Sequence, residues 1–176
     1  MPDRTQEAIF AAFNRLIAKE NFDKITINKI CEEADVSRAT FYRYFIDKYD
    51  VMNYNYRLLL DDCVSRSHNF EELFIQLYIN SREVLPPIRR VFGSDGDNSY
   101  SDYVAKESIR FVEKVVKAHR NGKGFTEEER LQADLLSHGI GYITERWVSN
   151  MYDLSPEEAA HAMFLLLPED IRNLTF

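Results

Sequence analysis

The sequence has few cysteines and no long apolar run. Its 176 residues include two cysteines, Cys31 and Cys63, which lie far apart and without metal-binding spacing. Both are expected to be reduced thiols, as in cytoplasmic proteins. Apolar runs such as Met163 to Leu167 are far shorter than the ~20 residues of a membrane-spanning helix. The opening stretch MPDRTQEAIF lacks the apolar segment of a signal peptide. These absences predict a cytoplasmic protein with no membrane association.

Recognisable catalytic and metal-binding motifs are also missing. The four histidines form no pair three or four residues apart, so they lack metal-ligand spacing. The stretch from Asp95 begins like a calcium-binding loop, but Tyr100 and Lys106 stand where glycine and glutamate are needed. Gly139 and Gly141 fall inside a predicted helix with no strand before it, which excludes a dinucleotide-binding loop. We therefore expect no enzyme activity, no cofactor and no metal.

Negative charge is unevenly distributed along the chain. The formal net charge is −7, which argues against binding nucleic acid through bulk electrostatics. Residues 1–50 contain eight Lys/Arg and nine Asp/Glu, a net of −1, whereas residues 51–176 contain fourteen and twenty, a net of −6. Between Lys24 and Lys48, five basic residues outnumber four acidic ones. The N-terminal third is thus nearly neutral, and the acidity belongs to the remainder.

Apolar residues recur at helical spacing along nearly the whole chain. Ile9, Phe13, Leu16 and Ile17, for example, lie on one face of a helix. The prediction is an all-α fold of eight or nine helices. The predicted segments are Arg4 to Lys19, a helix capped by Thr26 and ending at Ala34, a short helix capped by Ser37, a helix capped by Asp47 and ending near Val64, Phe70 to Leu85 with a stop at Pro86-Pro87, a loop from Gly93 to Ser99, Tyr100 to His119, a helix capped by Thr126 and ending near Met151, and Pro156 to Leu167.

The segment VSRATFYRYFIDKYD, residues 36–50, holds five aromatic rings, two arginines and a lysine. Phe41 and Phe45 are four residues apart and are predicted to point inward, against the preceding helix. Two short helices joined by EADVS have the spacing of a helix-turn-helix, whose second helix enters the major groove of DNA. Arginine can bond guanine at two positions, methyl groups can touch thymine, and hydroxyls can bond phosphates. The predicted outward face carries these types: Ser37, Arg38, Ala39, Thr40, Tyr42 and Arg43.

Lys48 lies in the first turn of the next predicted helix, where the helix dipole disfavours a cation. Two interpretations are open. Lys48 is a solvated side chain with a small dipole penalty, or it joins the unbonded helix amides in binding one phosphate. Together with the helix-turn-helix spacing, the second interpretation favours DNA binding.

The run TINKICEEADVSRATFYRYFIDKYDVM resembles the DNA-binding segment of TetR-family transcriptional regulators, and the resemblance extends from about Thr5 to Tyr56. It implies an all-helical homodimer with two DNA-binding heads and a larger C-terminal regulatory body. The pieces FDKIT and FIDKYDV are further similar to regulators of dihydroxyacetone kinase. By this resemblance, phosphates would be held by Thr26, Ser37, Tyr42 and Lys48, and bases would be faced by Arg38, Ala39, Thr40 and Arg43.

Asp35 departs from the family pattern, which usually has glycine at the turn between the two helices. If this turn needs a positive φ, aspartate tolerates it better than most residues, at some strain. The carboxylate also adds negative charge near the expected DNA surface. We therefore expect Asp35 to affect the affinity for DNA more than it affects the fold.

The large side chains of the C-terminal region allow two interpretations. They belong to a dimer interface between the last two long helices and to the wall of a ligand cavity, or they pack in the core of a single chain. Glycines within a helix reduce its stability but permit close approach of a second backbone. The interface candidates are Leu135, Gly139, Tyr142 and Trp147, and the cavity candidates are Tyr78, Tyr100, Tyr103, Phe111 and Tyr142.

These inferences predict a one-component transcriptional regulator with a DNA-binding domain over residues 1–50 and a ligand-sensing and dimerisation domain over residues 51–176. It is expected to be a repressor that binds a palindromic operator in double-stranded DNA as a homodimer, and to be released by a small-molecule effector. The alternative is a DNA-binding regulator whose body docks a partner protein instead of a small ligand.

Overall fold

The chain is helical throughout the part that the structure describes. A computed structural model describes residues 3–88 and 100–176; for residues 82–88, 100 and 101 it describes the backbone only. In these ranges the regular structure is nine α-helices, a 3-10 turn at Phe22–Lys24 and an isolated antiparallel bridge between Asn69 and Thr175. The prediction of an all-α fold is confirmed. The helices are α1 (Arg4–Lys19), α2 (Ile27–Ala34), α3 (Arg38–Tyr44), α4 (Lys48–Ser65), α5 (Phe70–Ile88), α6 (Tyr100–His119), α7 (Glu127–Val148), α8 (Pro156–Phe164) and α9 (Glu169–Arg172).

Side-chain caps set where several helices begin. Thr26, Ser37 and Asp47 each accept a hydrogen bond from the backbone N–H three residues ahead, at 3.2, 3.0 and 2.8 Å. Each cap satisfies one of the amides that a helix start leaves unbonded. Thr126 does the same for α7 and forms a capping box with Glu129. All four predicted helix starts are confirmed.

The end of α5 departs from the prediction. The helix continues through Pro86 and Pro87 to Ile88, so the predicted stop before Pro86 is wrong. Proline removes the N–H that would bond the carbonyl four residues back. α5 keeps its helical backbone at Pro86 and Pro87 without those two bonds. The predicted loop from Gly93 to Ser99 lies outside the described residues.

The last two predicted helices also end earlier than expected. α7 stops at Val148, because Asn150 adopts a φ of 58° and turns the chain away. Asparagine is among the few residues that tolerate this left-handed conformation. The final predicted helix ends at Phe164, and the short α9 follows after Pro168, its N-cap. Sequence periodicity did not separate these two elements.

The predicted inward side of α3 is confirmed. Phe41 is 0% exposed and Phe45 is 2% exposed. The ring of Phe45 meets that of Tyr54 in α4 edge to face, with 5.6 Å between centroids. Ile30 and Cys31 of α2 lie in the same buried cluster. The helix-turn-helix therefore has an apolar inner side that anchors it to the rest of the chain.

α4 connects the head of the molecule (α1–α3) to its body (α5–α9). α1 and α3 both pack against α2, and α4 contacts α1, α5 and α6. In the body, α5 packs chiefly against α8 and α6 against α7. Val51 and Met52 of α4 are 0% exposed, and Tyr56 and Leu60 further along it are also buried. One continuous core links head and body, and the domain division at residue 50 stays a prediction.

The turn between α2 and α3 requires a positive φ. Asp35 has φ 53° and ψ 48°, in the left-handed region. Its N–H donates to the Glu32 carbonyl at 3.3 Å, and the Val36 N–H donates to the Cys31 carbonyl at 3.0 Å. This pair of bonds closes the C-terminus of α2 in the pattern that usually contains glycine. The angle between α2 and α3 thus depends on one strained aspartate.

Replacing Asp35 by glycine is expected to raise the free energy of unfolding by about 0.5–1 kcal/mol. Left-handed backbone costs an L-residue roughly 1–2 kcal/mol, whereas the extra entropy that glycine loses on folding is about 0.5–1 kcal/mol. Urea unfolding followed by circular dichroism measures the change. The control is Asp35→Ala, which keeps a Cβ at the same φ and should not stabilise. Equal gains for both variants would show that backbone strain is not the cause.

Candidate nucleic-acid interface

The two faces of α3 separate apolar from polar side chains. Phe41 on the inner face is buried, while the outer face is polar and open to solvent. Tyr42 keeps 49% of its surface exposed despite its aromatic ring. The outer face consists of Ser37, Arg38, Ala39, Tyr42 and Arg43, all exposed, and the half-buried Thr40; Thr26 at the start of α2 is exposed as well.

Arg38 is held in place by uncharged partners on two helices. Its Nη1 donates to Asn28 Oδ1 at 2.5 Å, and its Nη2 donates to the Tyr42 hydroxyl at 3.2 Å. Arg43 similarly donates to the Tyr44 hydroxyl at 3.3 Å. A guanidinium has five N–H donors, so these bonds orient each arginine and leave donors for a ligand. Sequence reasoning missed Asn28, whose only signal is a polar side chain near an exposed helix start.

Other cations of the head are neutralised by carboxylates. Arg15 Nε lies 2.6 Å from Glu33 Oε1, and Lys29 Nζ lies 2.6 Å from Glu20 Oε2. The Arg15 bond lowers the pKa of Glu33 and keeps that carboxylate charged. These two pairs contribute no net charge. Arg38, Arg43 and Lys48, at the outer face of α3 and the start of α4, have uncharged oxygen partners instead.

Lys48 is neither fully solvated nor free to move. Its Nζ donates to the Phe22 carbonyl at 2.9 Å and lies 4.2 Å from the centre of the Phe22 ring. Burial lowers the pKa of Lys48, while the nearby carboxylates of Asp23 and Asp47 act in the opposite direction. The carbonyl and the ring face supply the electron density that offsets an unfavourable helix dipole. An ammonium has three donors, so contact with a phosphate is compatible with this bond.

The hydroxyls of the interface sit beside helix amides. Ser37 Oγ accepts from the Thr40 N–H at 3.0 Å and lies 2.9 Å from Thr40 Oγ1. Thr26 Oγ1 accepts from the Lys29 N–H at 3.2 Å. Ser37 thus caps α3 directly after the turn that contains Asp35, and Thr26 caps the opposite end of α2. Both hydroxyls are exposed and can donate to a ligand oxygen.

A cavity of about 160 Å³ lies inside the body. Residues from α4, α5, α6, α7 and α9 form its wall, which is mostly aliphatic and aromatic. Two buried hydroxyl pairs belong to this wall. Tyr56 Oη lies 2.8 Å from Ser108 Oγ, and Tyr78 Oη lies 2.7 Å from Thr144 Oγ1. Burial raises the pKa of both tyrosines to about 12, so their hydroxyls stay protonated at neutral pH.

The cavity candidates from the sequence lie in different places. Tyr78 and Phe111 are part of the wall. Tyr103 is half-buried on α6 and is not among the described wall residues, and burial raises its pKa. Tyr142 points outward and is 57% exposed. The side chain of Tyr100 lies outside the described residues. Hydroxyl pairs such as Tyr78 with Thr144 join residues far apart in the chain, so no local pattern marks them.

An apolar stripe runs along the outer face of α7, and we call it the α7 stripe: Leu131, Leu135, Gly139 and Tyr142. Its members follow each other by four, four and three residues, which places them on one side of a helix. Leu131 is 72% exposed, Leu135 is 74% exposed and Tyr142 is 57% exposed. Three of the four interface candidates therefore face solvent in the single chain, and Leu131 extends the stripe by one turn.

Trp147, the fourth interface candidate, lies inside the chain instead. It is 1% exposed, its ring packs 5.2 Å from that of Tyr78, and its Nε1 donates to the Leu154 carbonyl at 3.0 Å. A side chain so fully covered offers almost no area to a second protein. Trp147 therefore supports α7 from within, and the interface candidates that face solvent are Leu135, Gly139 and Tyr142.

Neither a metal centre nor a membrane span emerges from the described ranges. No group of three or more His, Cys, Asp or Glu side chains there could hold an ion. Among the described helices, none has the length and apolarity needed to cross a bilayer. Both cysteines are buried free thiols.

Two protein-family models match the chain. The model described as "Bacterial regulatory proteins, tetR family" matches residues 9–54, which cover α1 to the first turns of α4. The model described as "Transcriptional regulator C-terminal region" matches residues 66–169. Head and body are thus matched separately, and each match falls on the part of the fold expected for it. No curated protein matches the sequence.

Solved structures share the whole fold at low sequence identity. The dihydroxyacetone kinase operon activator DhaS is 17% identical, with a TM-score of 0.63 over 98% of this chain and 99% of that one. The fatty acid degradation regulator FadR from Bacillus halodurans is 16% identical, with a TM-score of 0.56 over 96% and 97%. At such identities the matches show the fold alone. The likeness to dihydroxyacetone kinase regulators therefore stays a prediction at the level of the branch.

Lys48→Ala is expected to lower the free energy of unfolding by about 1 kcal/mol. A hydrogen bond from a charged donor contributes roughly 1.5–3 kcal/mol when buried, and partial exposure of Lys48 reduces that figure. Urea unfolding measures the loss. The matched control is Lys24→Ala, an exposed lysine at the end of the same 3-10 turn, which should stay within about 0.5 kcal/mol of the wild type. If the two variants unfold alike, the Lys48–Phe22 bond contributes nothing to stability.

Proposed function

Because the chain belongs to the TetR family of bacterial regulatory proteins, we propose that it is a repressor that binds a palindromic operator as a homodimer and leaves it when an effector enters the body. The family consists of transcriptional regulators, not of enzymes. Its partners are then double-stranded DNA, a second copy of the chain and a small molecule, and we expect it to act in the cytoplasm.

One observation carries the DNA-binding assignment. The cations at the outer face of α3 and the start of α4 bond to uncharged oxygens, whereas Arg15 and Lys29 are paired with carboxylates. Positive charge is thus preserved where a helix-turn-helix meets DNA, in a chain whose net charge is −7. In this assignment Arg38, Ala39, Thr40 and Arg43 face bases, and Thr26, Ser37, Tyr42 and Lys48 contact phosphates.

The α7 stripe supports a homodimer. With only Arg38, Arg43 and Lys48 as cations near the expected DNA surface, one head neutralises few phosphates, so a single copy would bind weakly at physiological salt. A two-fold axis doubles these contacts and makes binding depend on a palindrome with half-sites about one helical turn, or a multiple of it, apart. The stripe exposes leucine side chains around Gly139, where a second α7 can approach closely. Exposed apolar area of this kind is a common sign of an interface.

The cavity supports regulation by a small molecule. It is enclosed by α5, α6 and α7, and Tyr56 brings α4 into the same wall. Since α4 also begins at the DNA-binding head, a ligand that displaces it would change the position of the head. The alternative, in which the body docks a partner protein, is favoured by other exposed apolar residues, Leu165 and Leu166, each 51% exposed.

Arg38→Ala is expected to reduce discrimination between operator and scrambled DNA by about 1–3 kcal/mol. The reason is that the two hydrogen bonds from the Arg38 guanidinium to guanine would be lost. Fluorescence anisotropy with both duplexes measures the ratio. Arg38→Lys is the charge-matched control: it should keep binding to scrambled DNA and still lose discrimination, since lysine cannot form the fork.

Lys48→Ala provides the contrast, because a phosphate contact carries no sequence information. It should weaken binding to both duplexes equally and reduce the slope of log affinity against log salt by about one. Should Arg38→Ala and Lys48→Ala give the same profile, the division into base and phosphate contacts is refuted.

Gly139→Leu is expected to convert the dimer to monomers and to abolish operator binding with it, because a leucine would hold the two α7 helices apart. The wild type should scatter light as twice its chain mass of 20.7 kDa. Gly139→Ala, which adds a single methyl group, should stay largely dimeric. A wild type that is monomeric at micromolar concentration, yet binds one half-site tightly, would contradict the dimer.

A further inference from the structure

The chemistry of the cavity wall points to a particular class of effector. Aliphatic and aromatic side chains such as Leu73, Leu77, Phe111 and Ile140 dominate the surface that a ligand would touch. Such a wall binds carbon skeletons by removing them from water. A charged group in the same place would lose its hydration without gaining a counter-ion, which is strongly unfavourable.

The one described carboxylate of the wall already has hydrogen-bond donors from the protein. Glu129 accepts from Arg120 Nη1 at 2.7 Å and from the Thr126 N–H at 2.8 Å. These bonds lower the pKa of Glu129, so it carries its charge at neutral pH. Because Arg120 neutralises Glu129, the described wall offers a ligand carboxylate or phosphate no counter-ion, while a ligand amine would have to compete with Arg120. Neither kind of ion gains an unshared partner there.

The pair of Tyr78 and Thr144 can recognise a neutral polar group. Two hydroxyls contain two O–H protons, and the 2.7 Å bond between them uses one. The other proton, and lone pairs on both oxygens, remain for a ligand among the described contacts. Burial keeps Tyr78 protonated, with its pKa raised to about 12. A ligand hydroxyl or carbonyl placed here would gain a hydrogen bond in an otherwise apolar site.

We propose that the effector is a compact, uncharged molecule of about one ring, carrying a hydroxyl or carbonyl that bonds the Tyr78–Thr144 pair. This inference rests on the proposed function only in naming the ligand an effector. The volume of about 160 Å³ is close to that of an engineered apolar cavity of ~150 Å³ that accepts benzene. A single ring with a small substituent therefore fits, whereas a long acyl chain does not.

Four probes with the same ring test the chemical class: benzyl alcohol, toluene, benzoate and benzylammonium. Isothermal titration of the full chain without DNA gives their affinities. Benzyl alcohol should bind most tightly, toluene more weakly, and the two ions at least about tenfold more weakly than the alcohol. Benzoate or benzylammonium binding as tightly as benzyl alcohol would overturn the proposal, and so would the failure of all four to bind.

Variants test the location. Gly141 lies on the wall, and a Cβ built there meets nothing within 4 Å, so the side chain of Gly141→Leu starts in open space and should fill the cavity. It should abolish binding of benzyl alcohol and toluene while raising the melting temperature, whereas Gly141→Ala, with a similar gain in helix propensity, should weaken binding far less. Tyr78→Phe should weaken the binding of benzyl alcohol by about 3- to 10-fold, which corresponds to the loss of one hydrogen bond. The affinity for toluene should stay within about twofold of the wild-type value. Unchanged binding in Gly141→Leu would refute this site.

The outcome can be separated from that of the proposed function. If the chain binds its operator but no probe enters the cavity, the ligand class is refuted and the DNA-binding assignment stands. If benzyl alcohol binds and the binding is lost in Gly141→Leu, the cavity is established as a site even where operator affinity does not change. If benzyl alcohol binds in the cavity but operator affinity does not change, the effector role in the proposed function is refuted instead.

Discussion

The whole structure depends on α4 being one continuous helix. Its first residue, Lys48, bonds the Phe22 carbonyl of the head at 2.9 Å. The next turn buries Val51 and Met52 in the head core, and Tyr56 then reaches the cavity wall of the body. Because the backbone hydrogen bonds of a helix make it stiff along its axis, no flexible link separates these contacts. The contacts at the two ends of α4 are therefore joined by one stiff element.

The choice of partners for cations decides how an acidic chain can approach DNA. A surface salt bridge adds little stability, but it does cancel charge. In the head, Glu20 pairs with Lys29 and Glu33 pairs with Arg15. Arg38 instead donates a hydrogen bond to the amide oxygen of Asn28. A neutral acceptor orients the guanidinium without removing its charge. Position of charge thus matters more for this chain than its total.

Local features of the sequence were enough to predict most of the fold. Capping side chains and the residues they bond are three positions apart, so Thr26, Ser37, Asp47 and Thr126 could be recognised without tertiary information. The inward side of α3 followed from helical periodicity in the same way. The stop before Pro86 was wrong, because α5 keeps its helical backbone at Pro86 and Pro87 although each proline removes one backbone hydrogen bond.

The sequence by itself determined that this chain is helical, where most helices start and which face of α3 is polar, because these properties arise within four residues. Only the tertiary structure decided the sites. The Lys48–Phe22 bond spans 26 residues and the Tyr78–Thr144 pair spans 66, so their formation depends on how helices pack. Packing also buried Trp147 and left Leu135 exposed, although both apolar side chains lie on α7. Which apolar residues face inward is settled by the neighbouring helices, since hydrophobic burial has no direction of its own.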